Sequence, residues 1–258
     1  MAITGLEYAA FTMLKSHGLV PERPRVIELG ESNWYADVPT DQLLQDIARL
    51  TADESVRAQR IASVRDAMAS TRTNRLYEVA RIVFDVFLNN PSYAAIDPGT
   101  PGSEFKFDLN QPVPLAPQSD LTVNIGTSEH VFNVYQFYKT AHDLTRPAGL
   151  MLHSAPFTGW RDHGFYCFQP TFFFDLARAN NYTIISFIIG GVNPLKYLQI
   201  KTREEVPALL ESNMLPANTH INVVFRKPDN SEAFAIPTQG YYANVLSPEA
   251  NRHWHESR

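Results

Sequence analysis

The stretch that decides the fold is Arg25–Tyr35, which reads Arg-Val-Ile-Glu-Leu-Gly-Glu-Ser-Asn-Trp-Tyr. Its first five residues are mostly β-branched or apolar, which is typical of a short buried strand. Glu28 lies near the end of that strand, and Gly30 directly follows it. A glycine in this place allows the tight turn by which nucleotide-binding α/β domains bring backbone N–H groups to a ligand. Ser32 and Trp34 occupy the places of the later glycines, so the stretch alone indicates an α/β domain and no more.

The composition is that of a globular protein. The chain has 258 residues, of which 44% are hydrophobic and 19% charged, and its net charge is −5. Because the basic residues are scattered, we expect no nucleic-acid partner. The single cysteine, Cys167, excludes an internal disulfide and a cysteine-based zinc site. There is no apolar run of the roughly 20 residues that span a bilayer and no leader pattern, so we expect a cytoplasmic protein with no membrane partner.

Strand and helix patterns alternate along the rest of the chain. Helical periodicity is strongest over Asn74–Leu88, and a second helix is predicted from Thr127 or Ser128 to about Leu144. The further predicted strands are Tyr93–Asp97, Phe105–Leu109, Leu121–Ile125, Leu150–Ser154, Tyr182–Ile189 and Ile221–Lys227. This order predicts an α/β fold with one doubly wound, mostly parallel sheet of seven strands and helices on both faces. Since ligands of such sheets lie at the carboxyl ends of the strands, Glu28, Asp97 and Asp108 are predicted to line one crevice.

The motifs, in this order, resemble those of the class I S-adenosylmethionine-dependent methyltransferases, which have a Rossmann-like fold. The likeness covers about residues 25–227. Val-Ile-Glu-Leu-Gly is similar to the first motif of the family, and Ala-Ile-Asp, ending at Asp97, to its second-strand acid. Phe-Asp-Leu at Phe107–Leu109 is similar to the segment that contacts adenine. Asn124–Val131 resembles the fourth-strand motif, and Leu144–Leu150 the turn into strand five.

The resemblance implies that the cofactor is S-adenosylmethionine and gives each motif a role. Asp97 would accept hydrogen bonds from the ribose hydroxyls, because an ionised carboxylate only accepts; the alternative is an ordinary turn acid before Pro98. Glu28 is expected to bond N–H groups of its own loop. The implied cofactor-binding residues are Glu28, Gly30, Trp34, Tyr35, Asp97, Phe107, Asp108, Leu109, Asn124, Ile125, Gly126 and His130.

Trp34 and Tyr35 replace small residues beside the expected position of the sulfonium. A ring face there would attract the cation by roughly 0.5–2 kcal/mol. The alternative is that these rings anchor the helices that follow. His130 is expected to be neutral and structural, because a helix N-terminus disfavours a cation.

A long connection, Glu31 to Asn90, joins the first two predicted strands, where the family usually has one helix. Asn74–Leu88 takes the place of that helix, and residues 36–72 are then a helical insertion, predicted to cap the methionine end of the cofactor site. A surface helix or a dimerisation element is the alternative, so a homodimer is a possible assembly. We otherwise predict a single domain over residues 1–258.

Residues 156–171 form an aromatic stretch that is predicted to lie over the acceptor. Methyl transfer requires in-line positioning and exclusion of water, and a base only for a protonated acceptor. His163 is the first candidate base, with Tyr166 beside it, because an imidazole titrates near neutral pH. The enclosing aromatic residues favour methyl transfer to a small-molecule or sugar-like acceptor. Alternatives are an enzyme that cyclises or cleaves S-adenosylmethionine itself, and a non-catalytic module.

Four histidines in the second half of the chain raise the question of a metal. They are His130, His142, His153 and His163. Their spacing matches no known ligand motif, and they come from different predicted elements, so no metal site is predicted.

Overall fold

A computed structural model describes residues 2–100, 102–116, 119–212, 214–230 and 233–256. The strands are β1 (Ala2–Ile3), β2 (Arg25–Leu29), β3 (Asn33–Trp34), β4 (Ser92–Ile96), β5 (Ser119–Ile125), β6 (Thr145–Thr158), β7 (Thr183–Val192), β8 (Leu195–Gln199) and β9 (Thr219–Arg226). The helices are α1 (Gly5–Ser16), α2 (Thr40–Leu50), α3 (Glu54–Ala69), α4 (Arg75–Phe87), α5 (Val134–Leu144), α6 (Pro170–Ala179), α7 (Glu205–Glu211) and α8 (Pro248–Glu256). Within these ranges, every helix is too short or too polar to cross a bilayer.

Seven strands form one sheet in the order β4-β2-β5-β6-β9-β7-β8. The pairs β4–β2, β2–β5 and β5–β6 are parallel, whereas β9 is antiparallel to both β6 and β7. The predicted mostly parallel, seven-stranded sheet is therefore confirmed. From β2 the chain moves outward to β4 and then returns to the other side of β2 with β5, so the topological switch point lies between β2 and β5. Ligands of open α/β sheets bind at such a point.

A hydrophobic core lies on each face of the sheet. Helices α1 to α4 cover one face, where Val26, Val123 and Leu152 are buried. Helices α5 and α6 cover the other, where Met151 and Val223 are buried. Because both faces are covered, the central strands β5 and β9 are buried at nearly every position rather than on one side only.

The predicted helical insertion is present as α2 and α3, which pack on α4. Ile47 and Val64 are fully buried in the first core, and the Tyr8 hydroxyl of α1 donates a hydrogen bond of 2.6 Å to Asp46. The insertion thus completes the helical layer over one face of the sheet. Its role as a cap on a cofactor stays a prediction.

The predicted strand Phe105–Leu109 is wrong as an extended element. Phe105 forms a single parallel bridge with Ile96, and the chain turns at Asp108, whose carboxylate accepts the Asn110 N–H at 2.9 Å. The seventh strand is instead β8, a mostly exposed hairpin partner of β7.

The predicted helix from residue 127 or 128 to 144 is interrupted. A single 3-10 turn, Ser128–His130, comes first, and α5 begins only at Val134. The side chain of Asn133 caps α5 by accepting the Gln136 N–H at 3.2 Å. The side chains of the turn Ser128–His130 are therefore not constrained to the directions that α5 would give them.

Candidate functional site

The loops after β2 and β4 are joined to each other at the carboxyl edge of the sheet, beside the switch point. Gly30, with φ of +84°, donates its N–H to the Ile96 carbonyl at 2.8 Å. The Glu31 N–H donates to Asp97 Oδ2 at 3.1 Å. The acid and glycine motifs, far apart in sequence, are therefore neighbours at the carboxyl edge of the sheet.

Asp97 uses its carboxylate to hold these loops. Oδ1 accepts the N–H groups of Gly99 and Thr100 at 2.7 and 3.0 Å, and Oδ2 also accepts the Thr100 hydroxyl at 3.0 Å. Burial by itself would raise the pKa of Asp97, but the hydrogen bonds from Gly99, Glu31 and Thr100 outweigh it and hold the pKa below its ordinary value. Asp97 thus organises its own turn, which is the alternative role considered for it.

A buried polar network lies behind the two loops. Glu28 accepts hydrogen bonds from the Ser32 N–H at 3.2 Å and from the Tyr93 hydroxyl. Burial raises the pKa of Glu28 to about 7, against the opposing effect of these bonds and of Arg81. The Arg81 guanidinium lies 3.4 Å from the centre of the Tyr93 ring and 3.2 Å from Glu31 Oε1. The network fixes the loop that follows β2.

Glu31, which the sequence analysis did not single out, offers an open acceptor in this network. Its side chain is 5% exposed, and one oxygen pairs with Arg81. The other, Oε2, is buried and has no hydrogen-bond donor among the described residues. Buried carboxylate oxygens are normally satisfied, so this atom is a candidate acceptor for a polar ligand group.

Trp34 is not placed as the aromatic-face hypothesis requires, whereas for Tyr35 that hypothesis stays a prediction. Trp34 is 1% exposed and packs edge-on against Tyr8, with ring centres 5.9 Å apart. No face of its ring is open to a cation, so Trp34 anchors the neighbouring helices instead. Tyr35 is 58% exposed, and its backbone N–H bonds to the Ile3 carbonyl at 3.0 Å.

The segment Phe107–Leu109 lies beside α5. Asp108 is exposed, and hydrogen bonds from the backbone and side chain of Asn110 lower its pKa. Phe107 and Leu109 pack into the second core. Asn110 in turn accepts the Asn133 N–H at 2.9 Å, which joins this loop to the start of α5.

Asn124 shapes the turn that follows β5. Its side chain is fully buried, and Oδ1 accepts the N–H groups of Thr127 and Ser128, both at 3.2 Å. Gly126, with φ of +63°, donates its N–H to the Ser154 carbonyl at 2.9 Å, and Ile125 is buried in the first core. The side chain of Asn124 therefore supports the turn that carries Glu129 and His130.

Glu129, His130 and His163 converge at this turn. Glu129 Oε1 lies 3.9 Å from Nε2 of each histidine, and the two imidazole centres are 5.1 Å apart. Neither Glu129 oxygen has a hydrogen-bond partner in the described part of the chain, and burial raises the pKa of Glu129 to about 7. Burial, followed by the proximity of His163, lowers the pKa of His130.

The other two histidines of the group lie elsewhere. His142 Nδ1 is 2.5 Å from the Tyr182 hydroxyl, and burial lowers the pKa of His153 to about 3. Of the four histidines, His130 and His163 therefore come together although they belong to different elements, whereas His142 and His153 lie apart from them.

Tyr166 lines a groove next to this cluster. Its hydroxyl donates to the Phe132 carbonyl at 2.9 Å, and the groove has a volume of about 490 Å³. Val134, Phe168 and Phe172 contribute apolar walls, with Cys167 at the edge. Burial, and then the nearby Glu129 carboxylate, raises the pKa of the Cys167 thiol. The groove and the Glu129 cluster are thus adjacent.

The first residues of β9 complete this edge of the sheet. The nitrogen Nε2 of His220 and both amide atoms of Asn222 are buried without partners among the described residues, and Trp160 stacks on His220 at 4.5 Å. Beside them, the Ser154 hydroxyl donates to Glu7 of α1 at 2.6 Å. Sequence analysis missed these residues, because an antiparallel strand brings its first residues, not its last, to the carboxyl edge.

No protein-family model matches the chain, and no curated protein sequence is significantly similar to it. Among solved structures, a candidate methyltransferase from Bacillus halodurans aligns at 10% identity and a TM-score of 0.48, over 87% of this chain and all of the other. The Burkholderia thailandensis 1,6-didemethyltoxoflavin-N1-methyltransferase aligns at 12% identity and a TM-score of 0.36, over 86% of this chain and 77% of the other. The [4+2]-cyclase SpnF aligns at 11% identity and a TM-score of 0.41, over 86% of this chain and 81% of the other.

These alignments are too distant to carry an argument about activity. The strand order, the switch point and the acid and glycine motifs at the strand ends instead define the fold. It is a Rossmann-like α/β fold, as the sequence predicts.

Proposed function

We propose that this protein binds S-adenosylmethionine at the switch point between β2 and β5 and transfers its methyl group to a small-molecule acceptor. The observation that carries the proposal is the junction of the two loops by the Gly30–Ile96 and Glu31–Asp97 hydrogen bonds, with the unsatisfied Glu31 Oε2 beside it. Ribose hydroxyls are hydrogen-bond donors, and a buried carboxylate oxygen without a donor is the complementary group. Glu31 would therefore take the ribose-binding role first expected of Asp97.

The remaining residues have supporting roles in this proposal. Asp97 and Glu28 hold the loops, and Asn124 holds the turn after β5. The bound cofactor supplies a methyl group activated by its sulfonium. The protein positions that group and excludes water, which accounts for much of the rate enhancement when two reactants are held in line.

The groove beside Tyr166 supports a small acceptor. Its volume of about 490 Å³ lies in the range of small-molecule sites, and its walls are mainly apolar. Two exposed rings, Phe132 and Phe165, have centres 5.7 Å apart, and the Phe132 carbonyl accepts the hydrogen bond of the groove residue Tyr166, which favours an acceptor with an aromatic or apolar part. Tyr166 lines this groove, with its hydroxyl already engaged, and His163 stays the first candidate base for a protonated acceptor.

Calorimetric titration with S-adenosylmethionine tests the cofactor site. We expect Glu31→Gln to weaken binding about tenfold or more, because a hydrogen bond to a charged group contributes roughly 1.5–3 kcal/mol. Glu22→Gln, which changes an exposed glutamate, serves as the matched control and should bind as the native chain does. Native binding by Glu31→Gln, or no binding by the native chain, would refute the site.

Product analysis with a panel of small acceptors tests the reaction. S-adenosylhomocysteine together with a methylated acceptor supports transfer. Methylthioadenosine would instead show attack within the cofactor and would overturn the transfer reaction while leaving the cofactor site intact. In the same assay, full turnover by His163→Ala across the pH range would exclude His163 as the base.

A further inference from the structure

Glu129, His130 and His163 form a cluster whose geometry a methyl-transfer site does not require. One ligand atom from each residue lies within 4.8 Å of the other two. The 3.9 Å separation between Glu129 Oε1 and each histidine Nε2 is too long for a hydrogen bond. Two atoms that share a metal ion at about 2.1 Å are roughly 3.4 Å apart in tetrahedral geometry, so a closure of about 0.5 Å would suit a shared ion.

We infer that Glu129, His130 and His163 bind a divalent transition-metal ion. The Glu129 side chain is 1% exposed, its Oε1 faces both histidines at 3.9 Å, and neither of its oxygens has a hydrogen-bond partner among the described residues. A buried carboxylate is costly unless it is paired or coordinates a metal. The two histidines face it from separate segments, which gives one carboxylate oxygen and two imidazole nitrogens on one side of a shared centre.

The local backbone holds these three ligands in place. Phe165 donates its N–H to the Glu129 carbonyl at 2.7 Å, so the loop that carries His163 is tied to the turn that carries Glu129. Gly164 permits this contact, since a Cβ there would lie 2.9 Å from the same carbonyl oxygen. Trp160 packs against the His163 ring with centres 5.0 Å apart and limits its orientation.

The ligand set indicates the class of ion. Two imidazoles with one carboxylate suit Zn²⁺, Fe²⁺ and related first-row ions, whereas Mg²⁺ and Ca²⁺ prefer oxygen ligands. The histidine side chains are 42% and 41% exposed, so the remaining coordination positions face solvent and the neighbouring groove. A metal site with three protein ligands and open positions is of the kind that can bind a substrate atom.

The test is titration of the chelator-treated, tag-free chain with Co²⁺, Zn²⁺ and Mg²⁺, read by calorimetry and by the visible spectrum of the Co²⁺ form. We expect one Co²⁺ or Zn²⁺ per chain and no comparable Mg²⁺ binding. Glu129→Gln and His163→Ala should each lower the Co²⁺ affinity at least about 100-fold, because loss of mere outer-shell partners already costs 10–100-fold. No stoichiometric binding, equal Mg²⁺ binding, or native affinity in Glu129→Gln would overturn the inference.

Matched controls separate coordination from folding. His17→Ala removes an exposed histidine outside the cluster and should bind as the native chain does. Glu129→Gln removes a buried charge that has no partner among the described residues, so its melting temperature should not fall. Cys167→Ser should retain the native Co²⁺ affinity. If this variant lost that affinity and the Co²⁺ form of the native chain showed thiolate absorption, Cys167 would be a ligand and the inferred ligand set would be wrong. None of these measurements requires S-adenosylmethionine, so failure of the proposed transfer reaction would leave their outcome interpretable.

Discussion

At the residue scale, the site is built from carboxylates in unlike environments. Asp97 receives four hydrogen bonds from surrounding loops, while Glu28 receives fewer and is fully buried. The pKa of Asp97 is accordingly lowered and that of Glu28 raised to about 7. The sequence predicts that acids stand at these strand ends, but not which of them remains available to a ligand, because that depends on hydrogen bonds made by loops distant in sequence.

Glu28 should make stability depend on pH in a defined direction. Between its unfolded pKa near 4.5 and its folded pKa of about 7, the folded chain retains a proton that the unfolded chain has released. The free energy of unfolding should therefore fall as pH rises through this window, by roughly 3 kcal/mol from this residue. In urea titrations carried out from pH 4.5 to 7.5, Glu28→Gln should remove this share of the fall in the free energy of unfolding with pH.

Glu22→Gln is the control for this measurement and should keep the native slope. Part of the slope should persist in Glu28→Gln, because burial also raises the pKa of Glu129 to about 7. An unchanged slope in Glu28→Gln would show that Glu28 is ionised in the folded protein near pH 5.

Trp34 illustrates a limit of prediction at this scale. Its place after the first motif suggested a position beside a cation, yet it is buried against Tyr8. Position along a motif gives the loop on which a residue lies. It does not give the direction of the side chain, which here follows the parallel pairing of β3 with β1.

At the element scale, hydrophobic periodicity was sufficient to predict α4 and the central strands, because those elements bury apolar faces. It failed where polar groups decide the backbone. The side chains of Asn124 and Asn133 separate the turn Ser128–His130 from α5, and this separation brings Glu129 and His130 toward His163. The adjacency of Glu129 and His130 was visible in the sequence, but their convergence with His163 depends on a contact across about 35 residues.

Gly164→Ala should disturb that contact without disturbing the core. Its added Cβ would approach the Glu129 carbonyl to 2.9 Å, so the loop must shift and the Phe165 N–H bond must lengthen. We expect faster hydrogen exchange at the Phe165 amide and a weaker Co²⁺ affinity, with little change in melting temperature. Gly102→Ala is the comparison, since its Cβ would meet the Glu31 carboxylate at no less than 3.4 Å; equal effects in the two variants would exclude the steric explanation.

At the scale of the whole molecule, the polypeptide that follows β9 packs back onto the layer of α6. The Asn180 side chain accepts the Ala235 N–H at 2.8 Å and donates to its carbonyl at 3.0 Å. Asp175 accepts the Gly240 N–H at 2.8 Å and pairs with Arg203 at 2.6 Å. The polar sequence of Asn251–Arg258 predicts a frayed end, but the residues up to Glu256 belong to α8; Ser257 and Arg258 lie outside the described residues.

Asn180→Ala should release this segment. The substitution removes the partner of both Ala235 backbone groups, which costs about 1–3 kcal/mol if they stay buried. We expect a lower urea midpoint and earlier cleavage near residues 235–245 in limited proteolysis under native conditions. Asn251→Ala, at an exposed position of α8, should cleave at the native rate; similar cleavage of both variants would mean that Asn180 does not retain the segment.

Because β9 is antiparallel to its neighbours, insertions before it and insertions after it should have different effects on the site. Residues just ahead of Thr219 lie at the edge that carries His220 and Asn222, and Asn218 accepts the Trp160 N–H at 3.2 Å. Residues just beyond Arg226 lie at the opposite edge, where Lys227 Nζ donates to the His142 and Thr145 carbonyls. Lengthening the first connection would remodel the part of the edge that carries His220 and Asn222, whereas an insertion directly after Arg226 would lie at the opposite edge of the sheet. Changes of ligand preference among descendants of this chain should therefore accumulate ahead of β9.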